Sequence, residues 1–161
     1  RRARALGMNN TLFQSVHGLP PGAGQQPDVT TARDFALLCR ELAKRSEVVR
    51  YTSARERPFR PNAADKTVIM RTHNHLLGQI EGCDGFKTGY FTVAGYSIAA
   101  TASRNGQRVI AVVLGSQDRK VRDAKTSELL AKGFLALPGA AQPVAPQPVQ
   151  PANRTASKAR K

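Results

Sequence analysis

Apolar residues recur on one helical face at Phe35, Leu38, Cys39 and Leu42, and this spacing predicts a helix ending near Ser46. Thr31, followed three positions later by Asp34, has the spacing of a capping box and marks the start of that helix. Residues 1–6 read as the last turns of another helix, closed by Gly7 in the usual left-handed stop. Between the two, residues 8–29 show no period. Their "HGLPPGAGQQPD" stretch holds three prolines and three glycines, so a loop is expected.

The pattern changes after residue 50. "RERPFRPN" carries two prolines and reads as an extended edge segment, while "KTVIMRTHNHLLG" reads as a short strand followed by a turn. "GYSIAATAS" and "QRVIAVVLGS" have small or β-branched residues on both faces, as strands inside a covered sheet do. They flank "RNGQ", whose Asn105-Gly106 pair is a strong two-residue hairpin signal. A preceding strand begins within "EGCDGFKTGYF", and a final helix over about 119–136 is expected to turn Val121, Leu129, Leu130 and Phe134 toward the sheet. Hairpin-linked strands with packing helices give an α+β fold with a mainly antiparallel sheet. Residues 1–137 form the folded portion, and the Pro-, Ala- and Gln-rich stretch 138–161 is expected to be a disordered basic tail.

Length and composition fit this picture: 161 residues, 40% hydrophobic, suit one domain or part of a larger one. No apolar run approaches the roughly 18 residues that cross a membrane. The chain opens on Arg1 with an abrupt helix end, which reads as a fragment or a processed chain. A net charge of +14 favours anionic partners such as nucleic acid, lipid headgroups or cell-wall polymers. No basic–aromatic repeat supports a stacking platform, and no nucleic-acid partner is assigned. Cys39 and Cys83 match no metal or redox spacing and are expected to be two separate buried thiols. His73 and His75 lack a neighbouring carboxylate or thiol to complete a metal set, and His17 is expected to order its loop. "GAGQQP" lacks the lysine of a phosphate loop. The residues therefore imply neither a metal nor an organic cofactor.

Lys87-Thr88-Gly89 stands apart from these. An ammonium, a hydroxyl and a residue without a side chain open a strand, where a simple turn would put an exposed lysine and a strain-relieving glycine. Together they can supply positive potential, donate a hydrogen bond to a carboxylate, and let an extended peptide lie close along the strand edge.

The stretches "LGMNNTLFQSVHGLPP", "TTARDFALLCREL", "HNHLLG", "GCDGFKTGY", "AGYSIAATASRNGQRVIAVVLGS" and "RKVRDAKTSELLAKGF" resemble, in order, the second half of the penicillin-binding serine D-Ala-D-Ala carboxypeptidases. The resemblance implies a β-lactamase/transpeptidase-like antiparallel sheet with helices on both faces, of which only the C-terminal half is present. It implies a cell-envelope or periplasmic enzyme, without cofactor, acting on peptidoglycan stem peptides that end in D-Ala-D-Ala and open to β-lactams when complete. Lys87, Thr88 and Gly89 are then the catalytic-strand residues, and Tyr90 offers a backbone N–H to the oxyanion hole. Arg122 takes the place of an arginine that helps bind the terminal carboxylate.

The family's other two motifs, S-x-x-K and then S-x-N, precede K-T-G. None of Ser15, Ser46, Ser53, Ser97, Ser103, Ser116, Ser127 or Ser157 has a lysine three residues on. Arg119 after Ser116 and Arg160 after Ser157 are no substitute, since arginine does not deprotonate at neutral pH. Ser103-Arg104-Asn105 fits S-x-N only in composition, because it follows K-T-G and lies in the expected hairpin turn. The chain alone is therefore expected to lack activity and to leave an apolar sheet face uncovered. The competing readings are a non-catalytic relative that binds peptidoglycan or a partner protein, a class A β-lactamase remnant and, last, a basic nucleic-acid module with steeply salt-dependent binding.

Overall fold

The computed structural model describes residues 1–60 and 67–138; the tail expected over 138–161 lies, apart from Pro138, outside the described residues. In chain order the elements are α1 (Arg2–Ala5), α2 (Ala32–Leu42), α3 (Ser46–Thr52), β1 (Glu56–Phe59), β2 (Val68–Arg71), β3 (Cys83–Phe91), β4 (Gly95–Arg104), β5 (Gln107–Ser116) and α4 (Arg119–Leu135). β3, β4 and β5 form an antiparallel sheet with β4 in the middle, and β1 and β2 form a separate two-stranded one.

The sheet's order follows from its side chains. Ile98, Ala99, Ala100, Thr101 and Ala102 of β4 are all buried, so both faces of the central strand are covered. On one face Ile98, Ala100 and Ala102 pack with Leu76, Ala111 and Leu130. On the other, Ala99 packs with Cys39 and Phe86. Small side chains let the helices approach closely. A Cβ added to Gly133 of α4 would lie 2.4 Å from Val109 Cγ1, so that contact requires glycine. Asn105 and Gly106 both have positive φ, 49° and 76°, and make the expected two-residue turn between β4 and β5.

Helices lie on both faces of the sheet, so the uncovered apolar face is not found among the described residues. Exposed apolar side chains lie instead on the paired strands β1 and β2, at Phe59, Val68, Ile69 and Met70, and on the 8–29 loop, at Leu12, Phe13, Val16, Leu19 and Val29.

Three local expectations are corrected. The helix predicted to reach Ser46 stops at Leu42; Arg45 is extended (φ −108°, ψ 106°), and a second helix, α3, follows. This break brings Val48 and Val49 against the Cys39–Phe86–Ala99 cluster. The capping box is only half made. Thr31 Oγ1 accepts the Asp34 N–H at 3.1 Å, but the buried Asp34 carboxylate turns to the Asn10 N–H (2.7 Å) and the Thr11 hydroxyl (2.9 Å). Finally, Val121 is 60% exposed while Arg122, Thr126 and Leu130 are buried. Those three recur every four residues and define the inward stripe of α4, which leaves Val121 rotated outward. Leu129 and Phe134 pack against the core as expected.

The cysteines are free, Cys39 buried and Cys83 half-buried. Burial pushes the Cys39 thiol up to about 12, so almost no thiolate exists at neutral pH to react. Iodoacetamide at pH 8 is expected to leave Cys39 unmodified in the native protein and to modify it once denaturant unfolds the chain. Mass spectrometry of the peptides reads the difference; rapid native labelling of Cys39 would contradict the packing of α2 on the sheet.

Candidate active-site cleft

Among the described residues β3 is an edge strand that pairs only with β4, Lys87 opposite Ala99, Thr88 opposite Ile98 and Gly89 opposite Ser97. Its first half is tied down by side chains. The Arg108 guanidinium of β5 grips the Asp84 carboxylate with two bonds, 2.7 and 2.8 Å, and also donates to Thr101 Oγ1 on β4 at 2.9 Å. The Thr52 hydroxyl of α3 donates to the Asp84 carbonyl at 2.9 Å, and the Asn74 amide donates to the Gly85 carbonyl at 3.3 Å. Such side-chain covers blunt a strand edge. Beyond Phe86 no other strand pairs with this edge among the described residues.

That open half borders a cleft of about 660 Å³ lined by Lys87, Thr88, Gly89, Tyr90 and Arg122. The structure therefore brings all five predicted residues together. The Lys87 ammonium donates to the Thr88 carbonyl, so it stays beside its own strand. Thr88 is buried, and Tyr90 is exposed and stacks on Tyr96 with ring centroids 4.2 Å apart. Gly89 is the informative residue. Its φ is not positive, and a Cβ placed there would meet no atom within 4 Å. Neither backbone conformation nor packing in this chain demands a glycine.

Arg122 is not the surface arginine that its position at a helix start also suggested. Only 2% exposed, it donates through Nε and Nη2 to Asp123 Oδ1 at 2.9 and 2.7 Å, which sets the plane of its guanidinium at the cleft wall.

The rest of the lining was not assigned a site role from sequence. His17, Gly18 and Leu19 come from the 8–29 loop, His73 and His75 from the segment after β2, Tyr96 from β4 and Arg119 from α4. His17 does order its loop, as expected, by accepting the Leu19 N–H on Nδ1 at 3.0 Å. The loop is also fastened by Asp28, which accepts the Gln14 N–H, the Ser15 N–H and the Ser15 hydroxyl. These donors hold the Asp28 carboxyl below the ordinary carboxylate value. Arg119 was findable in principle: it precedes Arg122 by three residues, nearly one helical turn. The histidines carried no local signal, because only the fold brings residues 73–75 beside residue 87.

Chemically the wall is a cationic, hydrogen-bonding surface, and the described residues that line it include no serine and no carboxylate. Among the described residues no group of three His, Cys, Asp or Glu side chains could hold a metal. Ser103-Arg104-Asn105 lies at the β4–β5 turn, at the far end of the sheet from Lys87. A second hollow of about 710 Å³, lined by Arg1–Arg4 and Thr11–Phe13, gathers no comparable set of groups.

Comparison with known proteins shows the family and the fold. Residues 1–118 match the Peptidase_S11 profile, described as D-alanyl-D-alanine carboxypeptidase. The chain is 33% identical over 134 residues to D-alanyl-D-alanine carboxypeptidase DacF of Bacillus subtilis, covering 83% of this chain and 33% of that protein. It is 37% identical over 134 residues to DacC of Escherichia coli, covering 82% and 31%. Among solved structures it resembles penicillin-binding protein D2 from Listeria monocytogenes in its cefotaxime-bound form (TM-score 0.72, 36% identity, 83% of this chain and 52% of that one). It also resembles an S216A mutant of the Streptomyces K15 DD-transpeptidase (TM-score 0.71, 27% identity, 83% and 52%). The chain thus spans about a third of the length of these curated relatives and about half of these solved chains. The antiparallel sheet with helices on both faces is the penicillin-binding/DD-transpeptidase fold in part, and by its sequence profile, its relatives and its Lys-Thr-Gly strand the chain belongs to the D-alanyl-D-alanine carboxypeptidase family.

Proposed function

We propose that this chain is the C-terminal portion of the catalytic domain of a serine-type D-alanyl-D-alanine carboxypeptidase of the periplasm or cell envelope, and that it supplies the substrate-strand wall of the cleft. The observation that carries the reading is Gly89: a glycine the fold does not need, on an open strand edge, between a buried threonine and an exposed tyrosine. The need for it comes from a ligand whose backbone lies against the strand.

In this reading a stem peptide ending in D-Ala-D-Ala adds along the edge of β3. Thr88 and Arg122 bind its terminal carboxylate, and Lys87 supplies positive potential at the reacting end. The N–H of Tyr90 is the strand-side donor to the oxyanion that forms when a serine attacks the carbonyl between the two D-alanines. That serine and its lysine base come from a segment outside these 161 residues. The acyl-enzyme forms with release of D-alanine, and water then frees the shortened peptide. β-Lactams act on the completed protein at the same serine. Losing a serine nucleophile costs on the order of a millionfold in turnover, so the wall alone binds without cutting.

Two outcomes follow. The purified 161-residue chain is expected to release no D-alanine from a D-Ala-D-Ala peptide, whereas a chain completed with the S-x-x-K and S-x-N segment releases it steadily; turnover by the short chain would contradict the assignment. In the completed enzyme, Gly89→Ala is expected to leave the unfolding free energy within about 1 kcal/mol of the parent and to lower kcat/KM about a hundredfold through displacement of the peptide. Gly133→Ala is the control, destabilising by about 1–3 kcal/mol through its contact with Val109. Unchanged kinetics in Gly89→Ala would remove the argument for a strand-bound peptide.

A further inference from the structure

The ribbon formed by β1 and β2 is open on both faces. Every residue of Glu56–Phe59 and Val68–Arg71 is exposed, and among the described residues the two strands pair only with each other. Their register puts Phe59 opposite Val68 and Arg57 opposite Met70 on one face, and Pro58 opposite Ile69 and Glu56 opposite Arg71 on the other. Apolar side chains therefore project from both faces. Arg57 and Met70 also border a hollow of about 330 Å³ together with Tyr51 in the last turn of α3. Tyr51 is 69% exposed, so the apolar surface continues from the ribbon onto α3.

Charge separates this surface from the other exposed apolar one. Residues 8–29 hold no lysine or arginine, and their one charged residue is Asp28. Residues 50–71 carry Arg50, Arg55, Arg57, Arg60, Lys66 and Arg71 against Glu56 and Asp65. Arg71 lies 3.4 Å from the Glu56 carboxylate. Two other guanidiniums lie over aromatic rings: Arg60 Cζ is 5.3 Å from the Phe59 ring centroid, and Arg50 Cζ is 5.8 Å from that of Tyr51. A ring with a guanidinium beside it suits a lipid boundary, where the ring enters the apolar layer and the charge stays with the phosphates.

We propose that the β1–β2 ribbon and Tyr51 seat the chain on an anionic lipid surface, one bearing phosphatidylglycerol or a similar headgroup. A folded protein partner covers one face of a ribbon, whereas headgroups and the upper acyl chains close around both, and both faces here are apolar. Depth is limited, because no other described strand pairs with either edge of the ribbon, and hydrocarbon cannot satisfy open backbone groups. The ribbon thus rests at headgroup level. Lys87 borders the same hollow as Met70, so the open half of β3 is held near that surface.

The chain contains no tryptophan, so Phe59→Trp places a single fluorescent reporter on the ribbon. With vesicles of equal parts phosphatidylglycerol and phosphatidylcholine, its emission is expected to shift to the blue and to be quenched by bromine on the upper acyl chains. Phosphatidylcholine alone is expected to produce neither change. Vesicle co-sedimentation of further variants measures partition. Arg57→Gln with Arg60→Gln is expected to weaken it about thirtyfold, roughly fivefold for each arginine near an anionic surface. Phe59→Ser with Ile69→Ser, at unchanged charge, is expected to weaken it about tenfold. All four side chains are exposed, so the fold is retained, which circular dichroism checks. An unshifted Phe59→Trp emission, or partition that survives Phe59→Ser with Ile69→Ser, means that charge alone attracts the chain, the basic stretch 138–161 included, and overturns the proposal. Binding to purified peptidoglycan with none to vesicles also overturns it and gives the ribbon a wall partner instead.

Discussion

The Asp84–Arg108 ion pair is the interaction on which the cleft depends. It links β3 to β5 across β4, and Thr101 on the middle strand shares the same guanidinium. Both partners are only partly exposed, 27% and 22%, and the bond raises the Arg108 guanidinium further above its usual value. A bidentate pair of this kind adds direction as well as attraction. Here direction is what matters, because the start of β3 also carries a bulge between Cys83 and Gly85. Thr52 and Asn74 complete the anchorage from α3 and from the segment after β2. With one half of the strand held by three elements, the other half can stay open without the sheet fraying.

That division makes β3 both structure and site. Phe86 packs into the core beside Cys39 and Ala99, and the next residues, Lys87 to Tyr90, line the cleft. Edge strands are ordinarily shielded against pairing with other chains. This one is shielded up to Gly85 and exposed afterwards, where an extended peptide has both an edge to pair with and, at Gly89, room to approach. The cationic lining adds a field that favours an anionic end of the peptide.

Much of this was legible in the sequence because the signals were local. The Asn105-Gly106 turn needs only two residues to specify a hairpin, and the small residues of β4 announce a strand covered on both sides. Lys87, Thr88 and Gly89 are consecutive and could be read as a unit, while Arg122 was placed by resemblance. The misses have a common physical origin. Val121 and Arg122 differ by 100° on a helix, and hydrophobicity pointed to the valine, whereas the buried stripe includes an arginine kept inside by Asp123. The Arg45 break between α2 and α3 serves the packing of Val48 and Val49, a tertiary cause without a proline or glycine to mark it. His17, His73 and His75 join the site from three-dimensional proximity alone. The missing serine–lysine pair, by contrast, could be read from the sequence directly, since it is a matter of which residues occur.

The function proposed for this cleft requires a peptide to lie along the open half of β3. Amide chemical-shift mapping of the isotopically labelled 161-residue chain, titrated with a D-Ala-D-Ala-terminated peptide, measures this most directly. Saturable shifts concentrated at Thr88, Gly89 and Tyr90 and at Arg122 are expected. Shifts confined to the exposed strands β1 and β2 or to the Arg2–Ala5 helix, with Thr88 to Tyr90 unmoved, would contradict it.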